Sequence, residues 1–118
     1  ETILGIYFYN SDFYQPVYHV IAIGNADGAN ISIAEGFEVA IITRSKYFVI
    51  MHNHPKGDPT PSEEDRLIIE FLLEGAKTVQ RTLLDFIIVG NLPSRKKKNY
   101  WSAYEEKNKG DYSPWVKW

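Results

Sequence analysis

The sequence predicts an α/β sandwich, and two observations predict it. Short apolar runs rich in β-branched and aromatic residues alternate along the chain with stretches of three-and-four periodicity, the signature of strands and helices taken in turn. A length of 118 residues, with a hydrophobic fraction of 44% and 14% aromatic residues, suits one domain around a single core and argues against a disordered chain.

Ile3 to Tyr9 is rich in β-formers and reads as a first strand, with Asn10-Ser11-Asp12 as its turn. Val17 to Ile23 reads as a second strand, so the two form a hairpin. Asn25 to Asn30 reads as a turn-rich connection. From Ala34 to about Lys46 the pattern is helical, with Phe37, Ala40, Ile41 and Arg44 spaced for one face. Tyr47 to Met51 is a buried strand. The clearest helix runs from Ser62 to about Gln80, where Leu67, Ile68, Phe71, Leu72 and Ala76 recur at three and four. Leu83 to Val89 is another buried strand and Lys97 to Trp101 an edge strand. Asp111 to Trp118 is an aromatic stretch with no assigned element. There is no internal repeat or interdomain linker, so residues 1–118 read as one domain, with 109–118 as a candidate tail.

Composition narrows the classes further. No run approaches the roughly 18 apolar residues of a membrane span, and no charged start with an apolar stretch and cleavage site marks a secretory signal. The absence of cysteine removes disulfides and thiolate metal sites and fits a cytoplasmic protein. The chain opens inside its first strand, which points to a domain excised from a longer protein.

The chemistry concentrates between His52 and Asp65. On an extended backbone, side chains two apart share a face, so His52 and His54 converge. Three prolines and a glycine between Pro55 and Pro61 reverse the chain with little freedom. Ser62 then opens a helix, and Asp65 lies on the same helical face. Two imidazoles, a carboxylate and a fourth position left to water make a catalytic type of zinc site, although iron, cobalt or manganese suits the same ligands. The plain alternatives are a hydrogen-bonded histidine pair and, for Ser62-Glu63-Glu64-Asp65, a helix cap worth roughly 1 kcal/mol. Capping and ligation are expected to compete for Asp65. Asn53, between the histidines, points to the other strand face and suits a structural hydrogen bond.

This stretch resembles the JAMM motif of the JAB/MPN metalloprotease superfamily, H-x-H-P followed by S-x-x-D, and most closely its RadC-like branch. His52, Asn53, His54, Pro55, Gly57, Pro59, Pro61, Ser62 and Asp65 fit that branch. Leu84-Asp85-Phe86-Ile87-Ile88-Val89-Gly90 resembles its L-D-H-x-I-x-G strand, with Phe86 in place of the histidine. Tyr100-Trp101-Ser102, followed by Glu105 and Glu106, resembles its closing segment. The resemblance implies a cytidine-deaminase-like three-layer sandwich with a mixed β-sheet flanked by helices. It also implies zinc held by His52, His54 and Asp65, and amide or isopeptide cleavage of a peptide substrate. Glu1, just ahead of the first strand, is by the same resemblance the candidate general base, with Glu35 and Glu38 as alternatives that read more simply as surface acids. Ser62 is the candidate donor to the oxyanion of a tetrahedral intermediate.

Arg95, Lys96, Lys97, Lys98, Lys107, Lys109 and Lys117 place seven of the thirteen basic residues in the last quarter of a chain of net charge −2. Beside Tyr100 and Trp101, Arg95 to Lys98 could meet nucleic acid, a reading that the DNA-repair name of the RadC-like branch encourages. The simpler reading is a solvated edge that discourages strand pairing. Lys56 reads as an exposed lysine, His19 as a strand-surface residue, and the aromatics Tyr7, Phe8, Tyr9, Phe13 and Tyr14 as core and turn packing. Three functions follow: a zinc hydrolase, a nucleic-acid-processing protein, and a non-catalytic interaction module that keeps the fold.

Overall fold

The computed structural model describes residues 2–23, 26–55, 57–90 and 99–108, and of residues 22, 23 and 26–32 the backbone only. Five strands, β1 (Thr2–Phe8), β2 (Val17–Ile23), β3 (Tyr47–His54), β4 (Thr82–Gly90) and β5 (Tyr100–Ser102), form one sheet in the order β2-β1-β3-β4-β5. The sheet is mixed: β1 runs antiparallel to β2 and β3, β3 pairs parallel with β4, and β4 pairs antiparallel with β5. The helices are α1 (Ala26–Ile42), α2 (Glu63–Thr78) and the short α3 (Ala103–Asn108).

The strand alternation decides which face is the core. Phe48, Ile50 and His52 are the buried positions of β3, and Tyr7, Phe86 and Ile88 from the flanking strands join them. On this face lie α1, through Phe37, and α2, through Ile69, Leu72 and Ala76. Phe37 meets Phe48 edge-on at 6.0 Å and Phe71 of α2 at 5.9 Å, which ties helix to sheet and helix to helix. The extra residue Leu84 in β4 turns Asp85 to the opposite face. There the Asp85 carboxylate accepts hydrogen bonds from the Ser102 hydroxyl at 2.6 Å and the Tyr104 N–H at 2.9 Å, anchoring the start of α3. Helices on both faces of a mixed sheet make the α/β sandwich that the sequence predicts.

The hairpin, the central strands and α2 fall where expected. Phe8, Phe13 and Tyr47 pack edge to face around the hairpin turn, while Tyr9 and Tyr14 stand in solvent. Element ends depart from expectation. α1 begins at Ala26, inside the stretch that reads as a connection, so the turn-forming residues of Asn25–Asn30 are overridden by tertiary context. It stops at Ile42, short of Lys46, because Arg44 takes a left-handed conformation (φ 55°) and Ser45 N–H reaches back to the Ala40 carbonyl at 2.8 Å. α2, which ends at Thr78 close to its expected end, is closed in the same way by Gln80 (φ 57°), with Arg81 N–H on the Ala76 carbonyl at 2.9 Å. β3 continues past Met51 through both histidines. The last strand covers Tyr100–Ser102, and Lys97 and Lys98 of the expected edge strand lie outside the described residues, as do Asp111 to Trp118. No described helix is long and apolar enough to cross a membrane.

Candidate metal centre

β3, the loop after it and α2 form a parallel β-α-β crossover with β4, and the carboxyl end of a strand in such a unit is a common ligand position. His52 and His54 stand there on one strand face, their rings nearly perpendicular (89°) with centroids 5.0 Å apart. Asp65, in the first turn of α2, points back between them. Its Oδ1 lies 3.0 Å from His52 Nδ1 and its Oδ2 2.9 Å from His54 Nε2. All three side chains offer ligand atoms within 4.8 Å of one another. The carboxylate and the His52 ring are almost wholly shielded, and His54 keeps 16% of its side-chain surface open, so solvent reaches the cluster from one side.

The S-x-x-D cap also forms. Ser62 is the N-cap: its hydroxyl accepts the Asp65 N–H at 3.2 Å, and the Ser62 N–H donates to Asp65 Oδ2 at 2.8 Å. Without an ion, Asp65 both caps and faces the two rings, because a carboxylate has two oxygens to share between the tasks. The cap aims the carboxylate. Burial alone pushes the Asp65 carboxyl up, but the hydrogen bonds from His52 and the Ser62 N–H, with the charges of both histidines, hold it below the usual carboxylate value.

The donor set suits a cation. His54 Nδ1 lies 2.8 Å from the backbone carbonyl of Asp58, which can only accept, so Nδ1 carries the hydrogen. In the neutral ring, Nε2 then turns a lone pair towards an anionic oxygen at 2.9 Å, an arrangement that needs a proton or a metal ion between them. His52, His54 and Asp65 could hold a metal ion.

A sequence profile of the RadC-like JAB domain matches residues 3–108. The chain belongs to the RadC-like JAB domain family. A UPF0758 protein of Thermotoga maritima is 35% identical over 88 residues, covering 75% of this chain and 37% of its own. One of Protochlamydia amoebophila is 32% identical over 101 residues (86% and 41%), and one of Methanosarcina acetivorans 39% over 72 (61% and 31%). The chain thus spans between 31% and 41% of the length of these curated relatives.

Around this RadC-like centre the other candidates divide. Asn53 Oδ1 accepts the Thr2 N–H at 2.6 Å, the structural bond expected of it, and so pins the start of β1 beside the histidines. Glu1, Lys56 and Arg95 to Lys98 lie outside the described residues. Glu35 is 3.5 Å from His19, both about half exposed, and that pair belongs to α1 and the β2 edge of the sheet. Glu38 is exposed. Phe86, where RadC-like domains typically carry histidine, is 1% exposed and pairs with Ile50 in the core. The sequence reading missed Asp58 and the close packing at Gly90. An added Cβ on Gly90 would meet the Gly57 carbonyl oxygen, so the loop rests directly on the residue that pairs with His54. The Asp58-Pro59-Thr60 stretch was the available signal, since Asp two residues before Thr is a turn-forming pattern.

Proposed function

We propose that this RadC-like JAB domain is a zinc-dependent hydrolase that cleaves amide or isopeptide bonds. The observation that carries the reading is the meeting of two imidazoles and a capped, negatively held carboxylate at the end of β3, open to solvent on one side. His52, His54 and Asp65 would hold the ion, and zinc suits two nitrogens and one carboxylate oxygen with a position left over. When bound, zinc supplies Lewis acidity and brings the pKa of a coordinated water to about 7.

The chain's own residues would do the rest. The Glu1 carboxylate would take a proton from the attacking water and return it to the leaving nitrogen as the C–N bond breaks. Support for Glu1 is its place one residue ahead of Thr2, whose N–H is tied to Asn53 between the two histidines. The Ser62 hydroxyl accepts the Asp65 N–H and keeps its own hydrogen for a substrate oxygen, a donor role worth about 10²–10³ in rate elsewhere.

Metal content by plasma mass spectrometry, with hydrolysis of an isopeptide-linked substrate, tests the reading. About one zinc in the wild type, lost in His54→Ala and Asp65→Ala, and turnover lost in Glu1→Gln are expected. A Glu1→Gln protein as active as wild type would remove the proposed base. A wild type that takes up no divalent metal would leave the non-catalytic module. Nucleic-acid contact through Arg95, Lys96, Lys97 and Lys98 is the second reading, supported by four consecutive basic residues shortly ahead of Tyr100 and Trp101 in the sequence. It predicts DNA binding that weakens steeply with salt, and a flat salt response would end it.

A further inference from the structure

We infer that Asp58 is a positioning residue for His54, acting through the conformation of the loop and not through its charge. The inference rests on the metal-site reading but adds a residue to it. Asp58 meets the site through its backbone carbonyl, which accepts the His54 Nδ1–H at 2.8 Å. That carbonyl belongs to the peptide joining Asp58 to Pro59, and its direction is set by the torsion of Asp58. The Asp58 side chain fixes this torsion: Oδ1 accepts both the Thr60 N–H at 2.9 Å and the Thr60 hydroxyl at 2.7 Å, closing a turn in which Asp58 holds its own backbone. Pro59 stiffens the middle of the turn and keeps Asp58 out of the helical region.

The other side of the loop is held independently. Gly57 is buried with φ 110°, a conformation other residues rarely adopt, and its N–H donates to the His54 carbonyl at 3.0 Å. Its own carbonyl packs on Gly90, where the missing Cβ leaves the space. His54 is thus gripped twice by the loop it leads into, at its backbone by Gly57 and at its ring by Asp58. The second grip selects the ring nitrogen that carries hydrogen and leaves Nε2 facing Asp65. Outer contacts of this kind are worth about 10–100-fold in metal affinity when removed from metal-binding histidines.

Two variants separate conformation from charge. Asp58→Asn keeps an oxygen that can accept from Thr60 and removes the charge, whereas Asp58→Ala removes the turn. Zinc affinity by competition with a chromogenic chelator should fall about 10–100-fold in Asp58→Ala and stay within about 3-fold of wild type in Asp58→Asn. In metal-free protein, a slowly exchanging Nδ1–H proton assigned to His54 by nitrogen-15 NMR should be present in wild type and Asp58→Asn and lost in Asp58→Ala. A purely electrostatic role would weaken Asp58→Asn as much as Asp58→Ala and would overturn the inference. So would unchanged zinc affinity in Asp58→Ala, or a His54 Nδ1–H signal that survives there. If wild type binds no zinc, the hydrolase reading fails while the NMR signal still decides the role of Asp58: present in wild type and Asn and absent in Ala sustains it, and any other pattern refutes it.

Discussion

Asp65 carries two tasks with one carboxylate. It closes the helix cap with Ser62 and stands between two imidazoles, and both tasks favour the charged carboxylate. Its folded pKa lies below the ordinary value of 3.8, so its stabilising contribution is complete above that value and drains away as pH falls through the folded pKa. Asp85 acts in the opposite direction, since burial holds its carboxyl above 3.8 despite the Ser102, Tyr104 and Phe86 hydrogen bonds. In metal-free protein, acid unfolding followed by circular dichroism should therefore show the wild-type advantage over Asp65→Asn constant above about pH 3.8 and shrinking as pH falls below it towards the folded pKa. An advantage independent of pH would mean that the cap alone matters. Phe86 sets a second expectation. Placing a histidine there would bury an imidazole among apolar neighbours, destabilising by about 2–3 kcal/mol in urea denaturation while leaving metal content unchanged. These single residues also show what the sequence exposed. His52, His54, Ser62 and Asp65 were legible because their spacing fits a strand end and a helix start. Asp58 was not, because its part is played by a carbonyl, which every residue possesses.

The secondary-structure elements were legible where an apolar pattern ran through them, and their ends were not. β1, β3 and β4 are short apolar runs rich in β-formers, whose alternating burial only the structure shows, and α2 carries a clear apolar stripe. α1 and α2 both close on a left-handed residue that is not glycine, Arg44 and Gln80; the α2 stop was still read to within two residues, but the α1 stop was not. An L-residue in that region costs about 1 kcal/mol or more relative to glycine. Arg44→Gly and Gln80→Gly should each raise stability by roughly 0.5–1 kcal/mol, read as a higher thermal midpoint, since neither change disturbs the reach-back bonds from Ser45 and Arg81. A fall in midpoint would show that these side chains contribute more than the backbone loses. The short α3 had a signal too, as Ser102-Ala103-Tyr104-Glu105 is an S-x-x-E pattern, and the Glu105 N–H does donate to the Ser102 hydroxyl at 3.2 Å.

At the scale of the molecule, strand–helix alternation was enough to reach the α/β class, while the strand order, with β1 between β2 and β3, came only from the structure. The candidate ligands tie β3 to α2 within the β3-α2-β4 crossover, so an ion held there should be felt by the whole domain. A ligand that binds only the folded state at about 100 times its dissociation constant stabilises by about 2.7 kcal/mol. Zinc should accordingly raise the thermal midpoint of wild type and leave that of His54→Ala flat, and chelation should reverse the wild-type gain. Equal midpoints with and without zinc in wild type would deny that the ion binds the folded domain.

The loop from Pro55 to Pro61 separates two donors on a strand from a third on a helix, so an ion there would bridge the chain across its own connection. A circular permutant opened at the exposed hairpin turn around Ser11 would leave that bridge untouched. One opened between Pro59 and Thr60 would have no covalent joint at the site, and the ion would become the clasp between the new ends. Such a permutant would fold only with metal present, turning a structural detail of one loop into a zinc-gated fold.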